Sequence, residues 1–118
     1  MSTEELEVAT RQKGANPAYG IDSTGNTVTV TAGASTLADL LAALLPPLEV
    51  PDTAVAARLQ FEGDTVRMWE NGIPTDSQGL VMSDGVIYDL EVRPNIDTAQ
   101  FILSMGSVTS FIHIQFYK

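Results

Sequence analysis

The sequence has no cysteine and only one histidine, His113, among its 118 residues. Without cysteine the chain can form neither a disulfide nor a thiolate metal site, and it lacks a cysteine nucleophile. A lone histidine also falls short of the several nitrogen or sulfur ligands that zinc sites use. These absences argue against thiol and zinc chemistry. They leave the compartment open, because a chain without disulfides can work inside or outside a cell.

Basic residues are scarce. Six lysines and arginines stand against fifteen acids, so the formal net charge is −9. Phosphate groups repel a chain this acidic, and its few basic residues are scattered along the sequence instead of clustered. The composition therefore predicts neither nucleic-acid binding nor attachment to an anionic membrane surface.

Long apolar runs are absent as well. The most apolar segment, residues 37–48, is interrupted by Asp39 and by Pro46-Pro47, and it is shorter than the roughly 20 residues that span a bilayer. The first fourteen residues contain neither the basic nor the apolar section of a secretory signal. We therefore expect neither a membrane span nor a secretory leader.

Residues 1–26 contain few large apolar side chains and three of the nine glycines. Such a segment cannot build a core face, so we predict an extended N-terminal arm. Tyr19 and Ile21 are its best anchoring side chains, and with Arg11 and Lys13 they form the arm's candidate partner-binding residues. The arm contacts either a neighbouring chain or its own domain, and the sequence leaves both open.

Residues 27–118 show the alternation of apolar and polar residues that is typical of half-buried strands. The apolar positions recur at every second residue in segments such as Val55–Phe61 and Val108–Phe116. Strands are predicted at 26–32, 55–61, 66–70, 80–82, 86–92, 101–105 and 108–117. Seven strands at this spacing predict a mainly β chain, folded as a single antiparallel β-sandwich or jelly-roll-like domain.

One short helix is predicted within this domain, at residues 36–45. Its five leucines fall on a single apolar stripe, at positions 37, 40, 41, 44 and 45. Ser35 or Thr36 can cap the first turn, with Asp39 completing a capping-box-like pair if Thr36 is the cap, and Pro46-Pro47 ends the helix. A lid on a sheet edge or barrel end is the favoured interpretation, and a partner-binding helix is the alternative.

A turn-rich stretch follows Trp69, the only tryptophan. Asn71-Gly72, the segment 73–76 and Gln78-Gly79 all favour turns, because glycine permits positive φ, proline fixes φ, and Asn or Asp side chains bond to nearby backbone. Core packing is the ordinary explanation for a tryptophan in a two-sheet fold. An exposed Trp69, together with Asn71, would instead indicate a carbohydrate or protein contact.

No catalytic pattern accompanies these elements. His113 has no G-x-S-x-G partner, and the glycines match no phosphate-binding loop. Five acids cluster near the centre of the chain and raise the alternatives of a calcium site or a glycosidase pair: Glu62, Asp64, Glu70, Asp76 and Asp84. No calcium-loop motif is present, and acids in turns ordinarily serve local hydrogen bonding and solubility. We therefore predict a non-enzymatic protein without a cofactor.

The stretches MWENGIPTDSQG, GLVMSDGVIYDL and SVTSFIHIQFYK resemble small virion proteins of tailed bacteriophages, over roughly residues 54–118. The resemblance implies a structural protein of the virion, made in the host cytoplasm, such as a capsid decoration (cement) protein on the capsid surface. The implied partners are the major capsid protein or neighbouring virion subunits, with the chain itself a dimer or trimer. The alternative is a receptor- or carbohydrate-binding module of a fibre or tail component, acting through Trp69 and the loop at 71–79.

Overall fold

The computed structural model describes residues 25–118, so nearly all of the predicted arm lies outside the described residues. Residues 25–118 form eight strands and two short helices. The strands are β1 (Asn26–Thr29), β2 (Ser35–Thr36), β3 (Ala56–Gly63), β4 (Val66–Trp69), β5 (Leu80–Met82), β6 (Ile87–Leu90), β7 (Gln100–Leu103) and β8 (Ser110–Tyr117). The helices are α1 (Leu37–Ala42), between β2 and β3, and α2 (Arg93–Thr98), between β6 and β7.

The strands form two antiparallel four-stranded sheets. The front sheet has the order β1-β8-β3-β6, and the back sheet has the order β2-β7-β4-β5. The first strand pairs with the eighth, the second with the seventh, the third with the sixth and the fourth with the fifth. This nested pairing is the topology of an eight-stranded jelly roll. The predicted fold class is confirmed.

The core lies between the two sheets. Phe61 of the front sheet meets Phe101 of the back sheet, with their ring centroids 6.2 Å apart. In β8 the buried residues alternate as predicted, and they are Ser110, Ile112, Ile114 and Phe116. Val108, which the sequence placed on the same face, is 79% exposed because it lies in the turn before the strand.

Helix α1 begins as the sequence predicts and ends earlier. Thr36 and Asp39 form the capping box, since each side chain accepts a hydrogen bond of 3.2 Å from the other's backbone N–H. The helix stops at Ala42 because the carbonyl of Leu41 accepts the N–H groups of both Leu44 and Leu48. The prediction of a helix through residue 45 is therefore wrong, and Leu45 is 95% exposed instead of packed on the sheet.

The sequence predicted a turn at Arg93-Pro94-Asn95, where the structure has helix α2. A proline in the first turn of a helix costs no hydrogen bond, because that N–H has no partner within the helix. Ile96 anchors the helix in the core, fully buried. The two helices within residues 25–118, α1 and α2, are not long and apolar enough to cross a bilayer.

Helix α2 also fixes the segment that precedes β3. The Nη1 atom of Arg93 donates to the carbonyls of Pro51, Asp52 and Ala54 at 2.9, 3.1 and 3.0 Å. One guanidinium group thereby orders the backbone of the link that contains Pro51. This end of the sandwich is closed by both helices.

Candidate interaction surfaces

The structure describes two of the six predicted partner-binding residues. Arg11, Lys13, Tyr19 and Ile21 lie outside the described residues, and Trp69 and Asn71 stand at the end of β4.

Trp69 is 39% exposed, so the core packing favoured from sequence is wrong. Val66 and Met68 face the core, and strand alternation therefore turns Trp69 to the outer face of the back sheet. Asn71 is exposed beside it.

The β4–β5 loop, residues 70–79, is anchored at its start by Glu70. The two carboxylate oxygens of Glu70 accept hydrogen bonds from the Asn95 amide, at 2.6 Å, and from the Tyr88 hydroxyl. The backbone carbonyl of Glu70 accepts the Thr98 hydroxyl at 2.7 Å. The loop therefore leaves the sheet already tied to β6 and α2.

Tyr88 keeps its proton in this arrangement. Burial, followed by the hydrogen bond to the Glu70 carboxylate and the nearby charges of Glu70 and Glu91, raises the pKa of Tyr88 to about 12. Desolvation disfavours the phenolate, and a neighbouring carboxylate adds like-charge repulsion to it. The Tyr88 hydroxyl is therefore a permanent donor to Glu70 at neutral pH.

The far end of the β4–β5 loop is anchored on the turn after β7. The carbonyl of Asp76 accepts the Met105 N–H at 2.8 Å and the Ser104 hydroxyl at 3.3 Å. Ser104 follows Leu103, which pairs with Val66 at the opposite end of β4 from Trp69. The loop must therefore run back along the outer face of the back sheet. Its position leaves Ile73 72% exposed.

The side chain of Arg67 also holds the loop, through hydrogen bonds from β4. It lies between Val66 and Met68 on the outer face of β4, and its guanidinium donates to the Gly79 carbonyl and to the Ser104 hydroxyl, both at 3.3 Å. The turn-rich stretch is therefore a strap held at both ends, and not a freely projecting tip.

The β7–β8 turn, residues 104–109, is held by one carboxylate. Asp64 Oδ2 accepts the backbone N–H groups of Val108 and Thr109 at 2.8 and 3.0 Å. The Asp64 N–H in turn donates to the Thr109 carbonyl at 2.8 Å. This ordered turn presents Met105 and Val108, which are 71% and 79% exposed.

The hydrogen bonds to Asp64 predict a loss of stability in acid. The backbone N–H groups of Thr109 and then Val108 hold the pKa of Asp64 below its ordinary value. With a folded-state pKa below the unfolded one, the stabilisation is complete above the unfolded value, about 3.9, and is lost as the pH falls through the folded value. We expect the stability difference between the native chain and Asp64→Ala to shrink over that interval.

Thermal unfolding at a series of pH values measures that difference, and the amide shifts of Val108 and Thr109 report the protonation directly. Asp52→Ala is the matched control, because the Asp52 side chain is exposed and Asp52 contacts Arg93 through its backbone carbonyl. Amide shifts that titrate at or above the ordinary aspartate pKa would contradict the assignment.

The outer face of the front sheet carries a row of opposed side chains. Thr27 pairs with His113, His113 with Gln60, and Gln60 with Ile87. The His113 ring is fixed at both nitrogens, with Nδ1 2.8 Å from the Thr27 hydroxyl and Nε2 2.6 Å from Glu62 Oε1. His113 lies on the surface of the sheet, as the sequence favoured.

The neighbouring row on the same face is fixed by an ion pair. Arg58 donates to both oxygens of Asp89, at 2.8 and 2.9 Å, and this hydrogen bonding raises the pKa of Arg58. The pair is partly exposed and contributes little to stability, on the order of 0.2–1 kcal/mol. Its effect is geometric, because both side chains are held across two strands. The two rows border a shallow open pocket of about 350 Å³.

Four of the five clustered acids, Glu62, Asp64, Glu70 and Asp84, have protein partners for their side chains. Among residues 25–118, no three His, Cys, Asp or Glu side chains are placed to hold a metal. Glu62 contacts His113, and Glu70 contacts Asn95 and Tyr88. Asp84 accepts the N–H of Gly63 at 2.8 Å.

The sequence did not reveal the pocket on the front sheet. Its side chains come from four strands that are far apart in the chain, from Thr27 to His113. The only local signal is that the polar residues of β3 and β8 alternate with buried ones. Their alignment into rows depends on the strand order, which alternation does not give.

No family model matches the chain, and no curated protein and no solved structure match it either. A function must therefore be inferred from the sequence, the fold and these two outer faces.

Proposed function

We propose that this chain is a non-enzymatic structural protein of a tailed-bacteriophage virion, acting as a decoration (cement) protein on the capsid surface. Two observations support the proposal. The stretches within residues 54–118 resemble small phage virion proteins, and the body is a jelly roll, an architecture that recurs in viral capsid domains. Because a fold hosts many functions, the function must be inferred from the surfaces of the molecule.

The observation that carries the proposal is the rigid presentation of apolar side chains. Ile73, Met105 and Val108 are each more than 70% exposed, yet the backbone that carries them is held by Glu70 and Asp64. Exposed apolar side chains mark contact surfaces. When their backbone is already ordered, less conformational entropy is lost on binding.

These side chains fit a contact with the major capsid protein or with neighbouring virion subunits. The β4–β5 loop and the β7–β8 turn are bonded to each other through Asp76 and Met105, so they form one edge of the molecule. Several copies of that edge, in a dimer or trimer on a symmetric lattice, give avidity without a strong single contact. The net charge of −9 keeps free copies apart before assembly.

A receptor- or carbohydrate-binding module of a fibre or tail component is the second candidate. The exposure of Trp69 beside Asn71 favours it, because tryptophan is enriched at binding hot spots. Trp69→Ala with Asn71→Ala should then abolish glycan or host-cell binding in a folded protein, while capsid binding is unaffected.

The proposal is tested by adding the full chain back to undecorated phage heads and measuring co-sedimentation. We expect Ile73→Asp and Met105→Asp each to weaken binding about tenfold or more, because each places a charge in the apolar contact. Ile87→Asp is the matched control, since Ile87 is exposed on the other sheet. A variant without residues 2–20 measures what the predicted arm adds.

Two results would count against decoration. The first is a full chain that does not sediment with heads. The second is binding that Ile73→Asp and Met105→Asp leave unchanged, which would remove this edge from the contact. Cryo-EM of the native particle distinguishes head from tail location directly.

A further inference from the structure

We infer that Asn71, in the strap between β4 and β5, is a site of spontaneous covalent modification, at which the side-chain amide becomes a carboxylate. Asn71-Gly72 is the only Asn-Gly pair among the four asparagines of the chain. The backbone nitrogen after an asparagine must reach the side chain for this reaction, and glycine obstructs that approach least because it has no Cβ. The inference goes beyond the proposed function and does not depend on it.

The reaction needs only water. The backbone nitrogen of Gly72 loses its proton to hydroxide and attacks the Cγ carbon of Asn71. The new N–Cγ bond closes a succinimide ring, and the side-chain nitrogen leaves as ammonia. Water then opens the ring. Cleavage of the N–Cγ bond gives aspartate, and cleavage of the original peptide bond gives isoaspartate, in which the main chain runs through Cβ and Cγ.

The structure leaves both reacting groups available. Among residues 25–118, neither the Asn71 side chain nor the Gly72 N–H forms a hydrogen bond. Asn71 is also exposed to the water that the reaction consumes. Glu70 and Thr75 are held on either side, but in the described part of the chain no backbone hydrogen bond holds residues 71–74. The peptide unit between Asn71 and Gly72 can therefore turn to bring the nitrogen onto Cγ.

The other asparagines lack this combination. Asn95 lies in α2, where its side-chain amide donates to Glu70 at 2.6 Å and the following N–H, that of Ile96, donates to a backbone carbonyl. Asn26 is paired with β8 and is followed by a β-branched threonine. Asn16 lies outside the described residues, and the proline after it has no N–H to lose. We therefore expect the modification at Asn71 alone.

The modification changes the surface beside Trp69. A Cβ added to Gly72 would lie 4.0 Å from Trp69 Cδ1, so this glycine lies next to the indole ring. The product carboxylate adds a negative charge to residues 71–75, which carry none. In isoaspartate the main chain is also longer. Because the strap is anchored at Glu70 and Asp76, the added length must displace the residues between these anchors.

The test is incubation of the folded full chain at neutral and alkaline pH, followed by peptide mass spectrometry. We expect the mass of the peptide that contains Asn71 to rise by the difference between an amide and a carboxyl group, with isoaspartate and aspartate products resolved by chromatography. The rate should rise with hydroxide concentration, because the attacking nitrogen must first lose its proton. It should stay within about tenfold of the rate in a synthetic peptide of residues 69–75.

Asp84→Asn supplies a second Asn-Gly pair in the same molecule, at a place where the fold holds both reacting groups. The Gly85 N–H donates to the Phe61 carbonyl at 2.7 Å, and Oδ1 of residue 84 accepts the Gly63 N–H at 2.8 Å. A hydrogen bond stabilises the proton on the attacking nitrogen and fixes its position. In the folded variant we expect Asn71 to react at least about tenfold faster than position 84, about 1.4 kcal/mol in the barrier. In urea the two should react at similar rates.

Variants at Asn71 separate the added charge from the longer main chain. Asn71→Gln keeps the amide but must close a larger ring, so it should stay unmodified over the same incubation. Freshly prepared Asn71→Asp has the charge without the longer main chain. The indole N–H of Trp69, the only one in the chain, should shift further in the aged native protein than in Asn71→Asp, and should stay in place in aged Asn71→Gln. The NMR spectrum of each variant also verifies that it is folded.

Several results would overturn the inference. They are an unmodified Asn71 in the folded chain while the peptide reacts, modification of Asn26 or Asn95 at the rate of Asn71, a rate independent of pH, and aspartate as the sole product, which would mean direct hydrolysis. Equal rates at Asn71 and position 84 in folded Asp84→Asn would mean that the fold does not select the site. Each of these outcomes is independent of binding to phage heads.

Discussion

Leu41→Asp should lower the free energy of unfolding by about 4 kcal/mol or more. Leu41 is fully buried in α1 within the hydrophobic core cluster, and an aspartate there places a carboxylate among apolar side chains. An unpaired buried charge is among the most destabilising of substitutions. Urea unfolding followed by circular dichroism measures the loss.

The matched control is Leu45→Asp. The chemical change is identical and the position is four residues away, but Leu45 is 95% exposed, so we expect a change within about 0.5 kcal/mol. Equal midpoints for Leu41→Asp and the native chain would mean that the apolar stripe of α1 faces solvent or a partner. The partner-binding interpretation of this helix would then gain support over the lid.

Local patterns predicted seven of the eight strands and missed β2, which has only two residues. Alternation identified the buried face of β8, with Ile112, Ile114 and Phe116, because a period of two residues is a property of the segment alone. The capping box of Thr36 and Asp39 was predicted as one of two alternatives, with Ser35 as the other cap, since both partners of the box lie within one turn. The sequence predicted the class of fold but not the order of the eight strands, because alternation does not say which strands are neighbours.

The predictions that proved wrong concern features whose structure depends on contacts between distant parts of the chain. Helix α1 ends early because the Leu41 carbonyl accepts the N–H of Leu48 beyond the prolines, a bond that no helical pattern contains. Helix α2 has six residues, too few for a period to appear. Trp69 was placed in the core because core packing is the ordinary explanation for a tryptophan in a two-sheet fold. Its own strand, however, turns Val66 and Met68 inward and leaves Trp69 outside.

The candidate sites likewise divide into one that local sequence predicts and one that depends on tertiary contacts. Trp69 and Asn71 were found because they are adjacent in sequence to dense turn signals. The pocket on the front sheet was missed because His113 meets Thr27 and Gln60 only through the nested pairing of β1, β8 and β3. A site assembled from four strands becomes visible when the strand order is known.

Gly63→Ala should cost about 3 kcal/mol or more. Gly63 ends β3 with φ of +103°, a conformation that costs a residue with a side chain about 1–3 kcal/mol. An added Cβ would also lie 2.7 Å from the Thr109 carbonyl oxygen and 3.2 Å from the Ser110 Cα. These backbone atoms cannot easily move away, because Asp64 bonds to Thr109 through both its N–H and its side chain.

Substitutions at two other glycines separate the conformational cost at Gly63 from the cost of its close contact with Thr109. Gly85 has φ of +86°, but within the described part of the chain its added Cβ would meet open space, so Gly85→Ala measures the conformational cost alone. Gly33 has neither feature among the described residues, and Gly33→Ala should be neutral or slightly stabilising because it restricts the unfolded chain. Thermal unfolding should therefore rank Gly63→Ala as the most damaging and Gly33→Ala as the least. If Gly63→Ala and Gly85→Ala lose equal stability, the approach of Gly63 to Thr109 has no energetic consequence, and the turn between β3 and β4 accommodates a side chain without disturbing the β7–β8 turn.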